Sequence, residues 1–341
     1  MYRSLTREQI CKVIEGRGAA HRVPTNFNFW TSTDRFGENE NRAKQLLDKY
    51  PNDFAAFPIV TAPNYDGGDG FGLVKELPPR DETKKGLDAQ IIIADMDRLE
   101  ELIKFPPADF VDHSQYNAPD DGRYRVGSWW FCFFERHWSL RGMENALTDF
   151  YVYPEQTHKL YGMLTDYYIE VMKMAKKAYN LDGVFTSDDI GMQTGTFFSM
   201  EIFQEFFKPY YKRLIDAAHE LGMHFWLHTC GNIEMFLDDF IEIGLDVIHP
   251  IQKYTMDECK IAEKYGDKIC IWAGFDVQQT IPYGTTEDVR KEVRFMLDTY
   301  FRKEGRLIMT FGNGITEDCP IDSFEAVLDE TFNYSKKLAE K

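Results

Sequence analysis

Short apolar runs alternate with long amphipathic ones through this chain of 341 residues, and that pattern predicts a (β/α)8 barrel. Two further observations support it. Eight segments read as parallel strands, and polar side chains recur just past their carboxyl ends, where barrels of this kind gather their chemistry. With 43% hydrophobic residues, the chain can bury a large core, and residues 1–341 read as a single domain. A doubly wound open sheet competes, but it usually carries a glycine-rich phosphate turn between a strand and a helix. The run Gly67–Gly72 (GGDGFG) leads into no helical pattern.

In chain order, Thr6–Gly16 has the polar start and apolar spacing of a packed surface helix ahead of the barrel. Val23–Phe27 and Phe54–Val60 read as the first two strands. Residues 63–121 are rich in Gly, Pro and Asp and read as an insertion or lid over the barrel mouth. Tyr124–Phe131 is the third strand. Five strand and helix units follow. Their strands are Gly183–Ser187, Met223–His228, Asp246–His249, Ile269–Ala273 and Leu307–Phe311. Their helices run near Ser199–Leu221, Ile233–Ile243, Met256–Tyr265, Thr286–Lys303 and Ser323–Lys337, several opening on Ser, Thr or Asp.

Charge excludes some functions. There are 39 Lys and Arg against 56 Asp and Glu, a net charge of −17 that repels phosphate backbones and anionic lipid surfaces. No nucleic-acid partner is expected. No stretch approaches the roughly 18 apolar residues that span a bilayer, and the amino terminus lacks a signal-peptide pattern, so a cytoplasmic protein with no membrane association is expected. The six cysteines are scattered, with no CxxC pair, and read as reduced thiols.

The candidate chemistry collects at the strand ends. His228 and Cys230 stand two residues apart, so strand periodicity puts imidazole and thiolate on one face, a pair that suits zinc. A packed core cysteine beside a hydrogen-bonded histidine is the structural alternative. Catalytic zinc commonly takes three protein ligands. Asp188 and Asp189 follow another strand, as a capping pair or as carboxylates that orient the histidine or hold substrate, with Gln193 as a further polar group. The stretch from Trp129 to Trp138 is exceptionally aromatic; core packing is its default reading. With Phe29 and Trp30 as an apolar wall and Glu135, Arg136, His137 and Asp276 as polar anchors, it also fits a small-molecule pocket.

An ordered set of motifs covers nearly the whole chain: Arg7-Glu8 through Arg22-Val23-Pro24, Asp188 to Gln193, His228-Thr229-Cys230-Gly231-Asn232, Glu242 to Asp246 with Pro250 and Gln252, Gly274-Phe275-Asp276, and Gly314-Ile315 leading to Pro320. This set resembles the uroporphyrinogen decarboxylase-like superfamily. The resemblance implies a (β/α)8 barrel. In the zinc-dependent, corrinoid-linked methyltransferase branch it implies an HxC pair and a distant cysteine on zinc, with a cobalamin-carrying protein docking at the barrel mouth. Two departures matter. The decarboxylases' amino-terminal arginine-rich segment is replaced here by Asn28 to Arg35, which disfavours porphyrinogen decarboxylation. The third zinc cysteine of the methyltransferase pattern lies in Gly-Cys-Gly, whereas Gly312-Asn313-Gly314 has Asn313; Cys319 in the same loop is the favoured third ligand, with His249 and Asn313 as alternatives.

The function expected is therefore methyl transfer from a small methylated, methoxylated aromatic substrate to the cobalt of a corrinoid protein, assisted by zinc. A methylcobalamin:thiol methyltransferase and a zinc-free lyase are the alternatives. No DxHxxG cobalamin motif occurs, so the corrinoid would come on a partner chain.

Overall fold

The computed structural model describes residues 2–340. Seven parallel strands form one curled sheet in chain order: Phe54–Pro58 (β1), Tyr124–Trp129 (β2), Gly183–Ser187 (β3), His224–His228 (β4), Val247–His249 (β5), Cys270–Phe275 (β6) and Leu307–Phe311 (β7). Every neighbouring pair is parallel. β3, β5, β6 and β7 are buried along their whole length, as parallel strands covered on both faces must be. Within the curl, Trp226 and Trp272 pack at 5.2 Å between ring centroids, with Phe54 on Trp226 and Phe185 on Trp272.

The eighth expected strand, Val23–Phe27, does not form. Its backbone makes one isolated bridge, Thr25 to Met309 of β7, with Asn26 N–H donating to Met309 and Met309 N–H to Pro24. Asp53 N–H, just before β1, donates to Thr25. Pro24 has no N–H to extend a ladder, and a 3-10 turn begins at Phe27. β1 and β2 also end two residues earlier than the sequence suggests, whereas β6 runs on through Gly274 and Phe275.

The helix after β3 is interrupted. A π-turn at Phe203–Phe207 precedes Lys208–Glu220, because Pro209 has no N–H to give to the preceding turn. Helices Glu40–Lys49, Phe134–Arg141, Met143–Val152 and the 26-residue Pro154–Tyr179 lie outside the sequence reading. Residues 63–121 contain only short turns. They wrap the helix Phe134–Arg141: Ile92 and Ile93 N–H donate to Leu140, Arg141 reaches the Ile93 and Ala94 carbonyls, and Asp88 accepts from Trp138 and Met143. No described helix is long and apolar enough to cross a membrane.

Candidate metal centre

Strand register sets the site. Ser187, His228 and His249 stand level on β3, β4 and β5, and the chain past them carries Asp189 and Cys230 to the same place. His228 Nε2 is 3.3 Å from Cys230 Sγ and 3.5 Å from Asp189 Oδ1. These three form the one set of His, Cys, Asp or Glu side chains among the described residues whose ligand atoms all lie within 4.8 Å. Tetrahedral zinc, with bonds of about 2.0 Å to nitrogen and oxygen and about 2.3 Å to sulfur, holds a nitrogen about 3.3 Å from a neighbouring oxygen and about 3.5 Å from a neighbouring sulfur. His228 Nε2 is therefore already at coordination spacing from both other donors, which lie within 4.8 Å of each other.

A chain of hydrogen bonds decides which histidine nitrogen is free. The Phe311 carbonyl can only accept, so His249 donates from Nε2 at 2.9 Å, and its Nδ1 is left as an acceptor. His228 Nδ1 lies 2.6 Å from that atom and must donate to it. The lone pair of His228 is then on Nε2, facing Asp189 and Cys230. Burial favours the neutral form of both rings, lowering the pKa of His228 and driving that of His249 well below its usual value.

Backbone contacts hold the cysteine. Cys230 N–H donates to Asp189 Oδ1 at 2.7 Å, and Gly231 N–H donates to Gln252 Oε1 at 2.6 Å. A Cβ on Gly231, where φ is +85°, would lie 2.3 Å from the Gly191 carbonyl carbon, so the two loops meet backbone to backbone. Burial, then Asp189, pushes the Cys230 thiol above its usual pKa. A cation reverses that pressure by pairing with the thiolate, and the Asp189 carboxylate beside it favours a cation there.

Several expected site residues have other places. Cys319 does not join the donor set; its loop keeps it buried with Sγ toward the Pro320 carbonyl. Asn313 touches the set, with Nδ2 3.7 Å from Cys230 Sγ. His249 stands behind His228, both ring nitrogens engaged. Asp188 points away and accepts from Phe133 N–H, Glu135 N–H and the Tyr211 hydroxyl, a structural cap whose pKa burial raises to about 6. Gln193 is exposed in the turn closed by Met192 and Gly195. His137 is buried between Asp149 and Tyr161, because helical periodicity turns it from the direction Glu135 takes. Asp276 lines a cleft with Cys230, but both its oxygens are held by its own loop at residues 278–280. Glu135 remains by the centre: it accepts from Ser187 Oγ at 2.6 Å, and burial, followed by Asp189 and Asp188, raises its pKa to about 8.

Aromatic rings cover one side. Trp30 stacks on His249 at 4.9 Å and lies 5.1 Å from His228; Phe29 and Trp130 pack against it. Phe185 and Trp272 extend this wall downward. Neither was singled out from the sequence, although two-residue periodicity puts Phe185 on the same face of β3 as Ser187, which stands level with His228.

Residues 138–334 match the family Uroporphyrinogen decarboxylase (URO-D). The uroporphyrinogen decarboxylase of Danio rerio is 26% identical over 204 residues, 56% of this chain and 50% of that protein. The methylcobamide:CoM methyltransferase MtbA of Methanosarcina mazei is 28% identical over 134 residues, 39% of this chain and 37% of that protein. The chain thus spans half or less of the length of these curated relatives. Among solved structures, a methyltransferase from Methanosarcina mazei aligns with a TM-score of 0.63 at 13% identity, over 96% of this chain and 98% of the other, a likeness of fold.

Proposed function

The chain belongs to the uroporphyrinogen decarboxylase (URO-D) family, and from that premise we propose that it is a zinc-dependent methyltransferase acting between a small methylated molecule and the cobalt of a corrinoid carried on a separate protein. The observation that carries this reading is the set Asp189, His228 and Cys230, its ligand atoms within 4.8 Å of one another, with the His228 lone pair turned toward the other two. These three residues would hold the zinc, Asp189 standing where the sequence suggested Cys319. Zinc bound there supplies a Lewis acid for a leaving oxygen or an accepting sulfur.

The chain's own residues do the rest. His249 keeps the proton of His228 on Nδ1. In the metal-free chain burial raises the Glu135 pKa to about 8, and Glu135 is our candidate to give a proton to a departing oxygen. Phe29, Trp30 and Trp130 form an apolar wall that suits an aryl methyl ether as donor. We read residues 1–341 as one domain, the Thr25 segment as the stave that completes the barrel, and residues 63–121 as a cover on its mouth. All six cysteines are free, which suits the cytoplasm. The similarity to MtbA favours a second reading, transfer from methylcobamide to a thiol.

Elemental analysis of zinc-replete protein tests the centre. About one zinc per chain is expected, lost in Cys230→Ser and Asp189→Ala and kept in Cys319→Ser. Zinc kept in Asp189→Ala but lost in Cys319→Ser returns the third ligand to Cys319. No zinc in the wild type overturns the proposal in favour of a lyase. Methylation of a corrinoid protein by a methoxyarene, against methylation of a thiol by methylcobalamin, separates the two directions.

A further inference from the structure

Arg136 carries a charge that the folded chain leaves uncompensated. Its side chain is only 5% exposed. Nη1 donates to Asn64 Oδ1 at 2.7 Å, and Nε is buried with no partner. Its other close neighbours are neutral, the Tyr168 hydroxyl and the face of the Phe131 ring. The other deeply buried arginines each reach a carboxylate or several oxygen acceptors, although Arg22, like Arg136, leaves its Nε unpartnered and Arg125 has no carboxylate. Arg22 is bidentate on Asp53, Arg141 is bidentate on Asp149, and Arg125 is held by the Tyr179 and Ala118 carbonyls and the Asn117 side chain. Arg136 also sits in the first turn of its helix, the end whose dipole disfavours a cation. Asp188, which caps that end, spends its oxygens on amides and on Tyr211. A buried guanidinium with no counter-charge is costly, and an incoming anion repays that cost.

Arg136 opens on a place for one. An open cleft of about 460 Å3 is lined by Arg136, Asn64 and Ser139 together with Val60, Trp130 and Phe131. A few polar groups set in an apolar wall make the usual small-molecule pocket. Trp130 belongs both to this cavity and to the wall of the metal centre: its ring is 5.8 Å from Trp30, which in turn packs on His228.

We propose that this cavity binds the carboxylate of an aromatic small molecule, the acid on the free edge of the Arg136 guanidinium and the ring against Trp130. Resting on the methyltransferase reading above, this makes the methyl donor a carboxylated aryl ether, its acid end held at Arg136 and its ether end reaching past Trp130 toward the three donors.

Calorimetric titration of the full chain with benzoate, and with benzamide as the uncharged isostere, tests the site. Benzoate should bind at least about tenfold more tightly, as a charge-assisted fork requires. Arg136→Met should abolish that preference and Arg136→Lys should keep part of it. Equal binding of the two probes by the wild type, which needs no variant, overturns the site. Cys230→Ser should bind benzoate as the wild type does while losing zinc, so the two sites fail separately. Methyl transfer from methoxybenzene as fast as from 3-methoxybenzoate overturns the donor assignment. Benzoate binding without transfer from either compound upholds the site and removes the aryl-ether reading.

Discussion

Glu135 shows how one residue couples the candidate centre to stability. Burial raises its pKa from 4.5 to about 8, Asp189 and Asp188 push the same way, and the Ser187 hydroxyl pulls it back. The folded value lies above the unfolded one, so as pH rises from 4.5 toward 8 the unfolded chain gives up a proton that the folded chain keeps. Folding stability is therefore lost through that window. Glu258, raised to about 7 by burial, contributes with the same sign, so the diagnostic quantity is the difference between wild type and Glu135→Gln. In metal-free protein, urea unfolding should show a flatter pH dependence for the Gln variant, which becomes the more stable of the two by a few kcal/mol near pH 8, at about 1.4 kcal/mol per pKa unit. Equal slopes would mean that Glu135 does not titrate there. Zinc at Asp189, His228 and Cys230 would lower the Glu135 pKa, so adding it should narrow the gap.

The helix Phe134–Arg141 positions both Glu135 and Arg136, and nothing local starts it. Its cap is Asp188, delivered from the end of β3 to the amides of Phe133 and Glu135. A cap more than 50 residues away leaves no trace in a local window, so the aromatic run from Trp129 reads as a strand ending in anchors. That is also why His137 was placed in the pocket when the helix turns it into the core. By contrast, β3 to β7, His228 and Cys230 were legible, because apolar runs between long amphipathic segments and a two-residue spacing at a strand end are local signals. Helix Pro154–Tyr179 carries its own start signal, Pro154 at the first position, which the sequence reading leaves unused; Tyr153 alone separates it from Met143–Val152. Asp188→Ala should cost about 3 kcal/mol, since it strands two amides and the buried Tyr211 hydroxyl. Chemical denaturation measures this loss, and the folded fraction should still bind zinc because Asp189 is untouched. A loss below about 1 kcal/mol would show that the helix does not depend on this cap.

At the scale of the whole molecule, one carboxylate joins the chain's beginning to its sheet. Asp53, completely buried just before β1, accepts both terminal nitrogens of Arg22 and the amides of Leu5 and Thr25. Thr25 is also the residue bridged to Met309, so the hydrogen bonds between β1 and β7 pass through this one side chain's neighbours. The sequence reads Val23–Phe27 as a strand, and the chain makes only the Thr25 bridge there. The sequence did not reveal that Pro24 and the turn at Phe27 would limit the ladder to a bridge, leaving an ion pair to do what strand pairing does elsewhere. Asp53→Asn keeps the shape but leaves Arg22 buried beside a neutral amide, and should cost about 3 to 5 kcal/mol. The double variant Arg22→Met, Asp53→Leu should recover part of that loss, because it removes the unpaired charge. Hydrogen exchange locates the damage: the Asn26 and Met309 amides should exchange faster in Asp53→Asn, while the Asp188 amide, bonded to His228 between β3 and β4, keeps its protection. If Asn26 and Met309 stay protected, or the loss is under about 1 kcal/mol, the Thr25 segment is held by its apolar neighbours Val23 and Phe27 and not by Asp53.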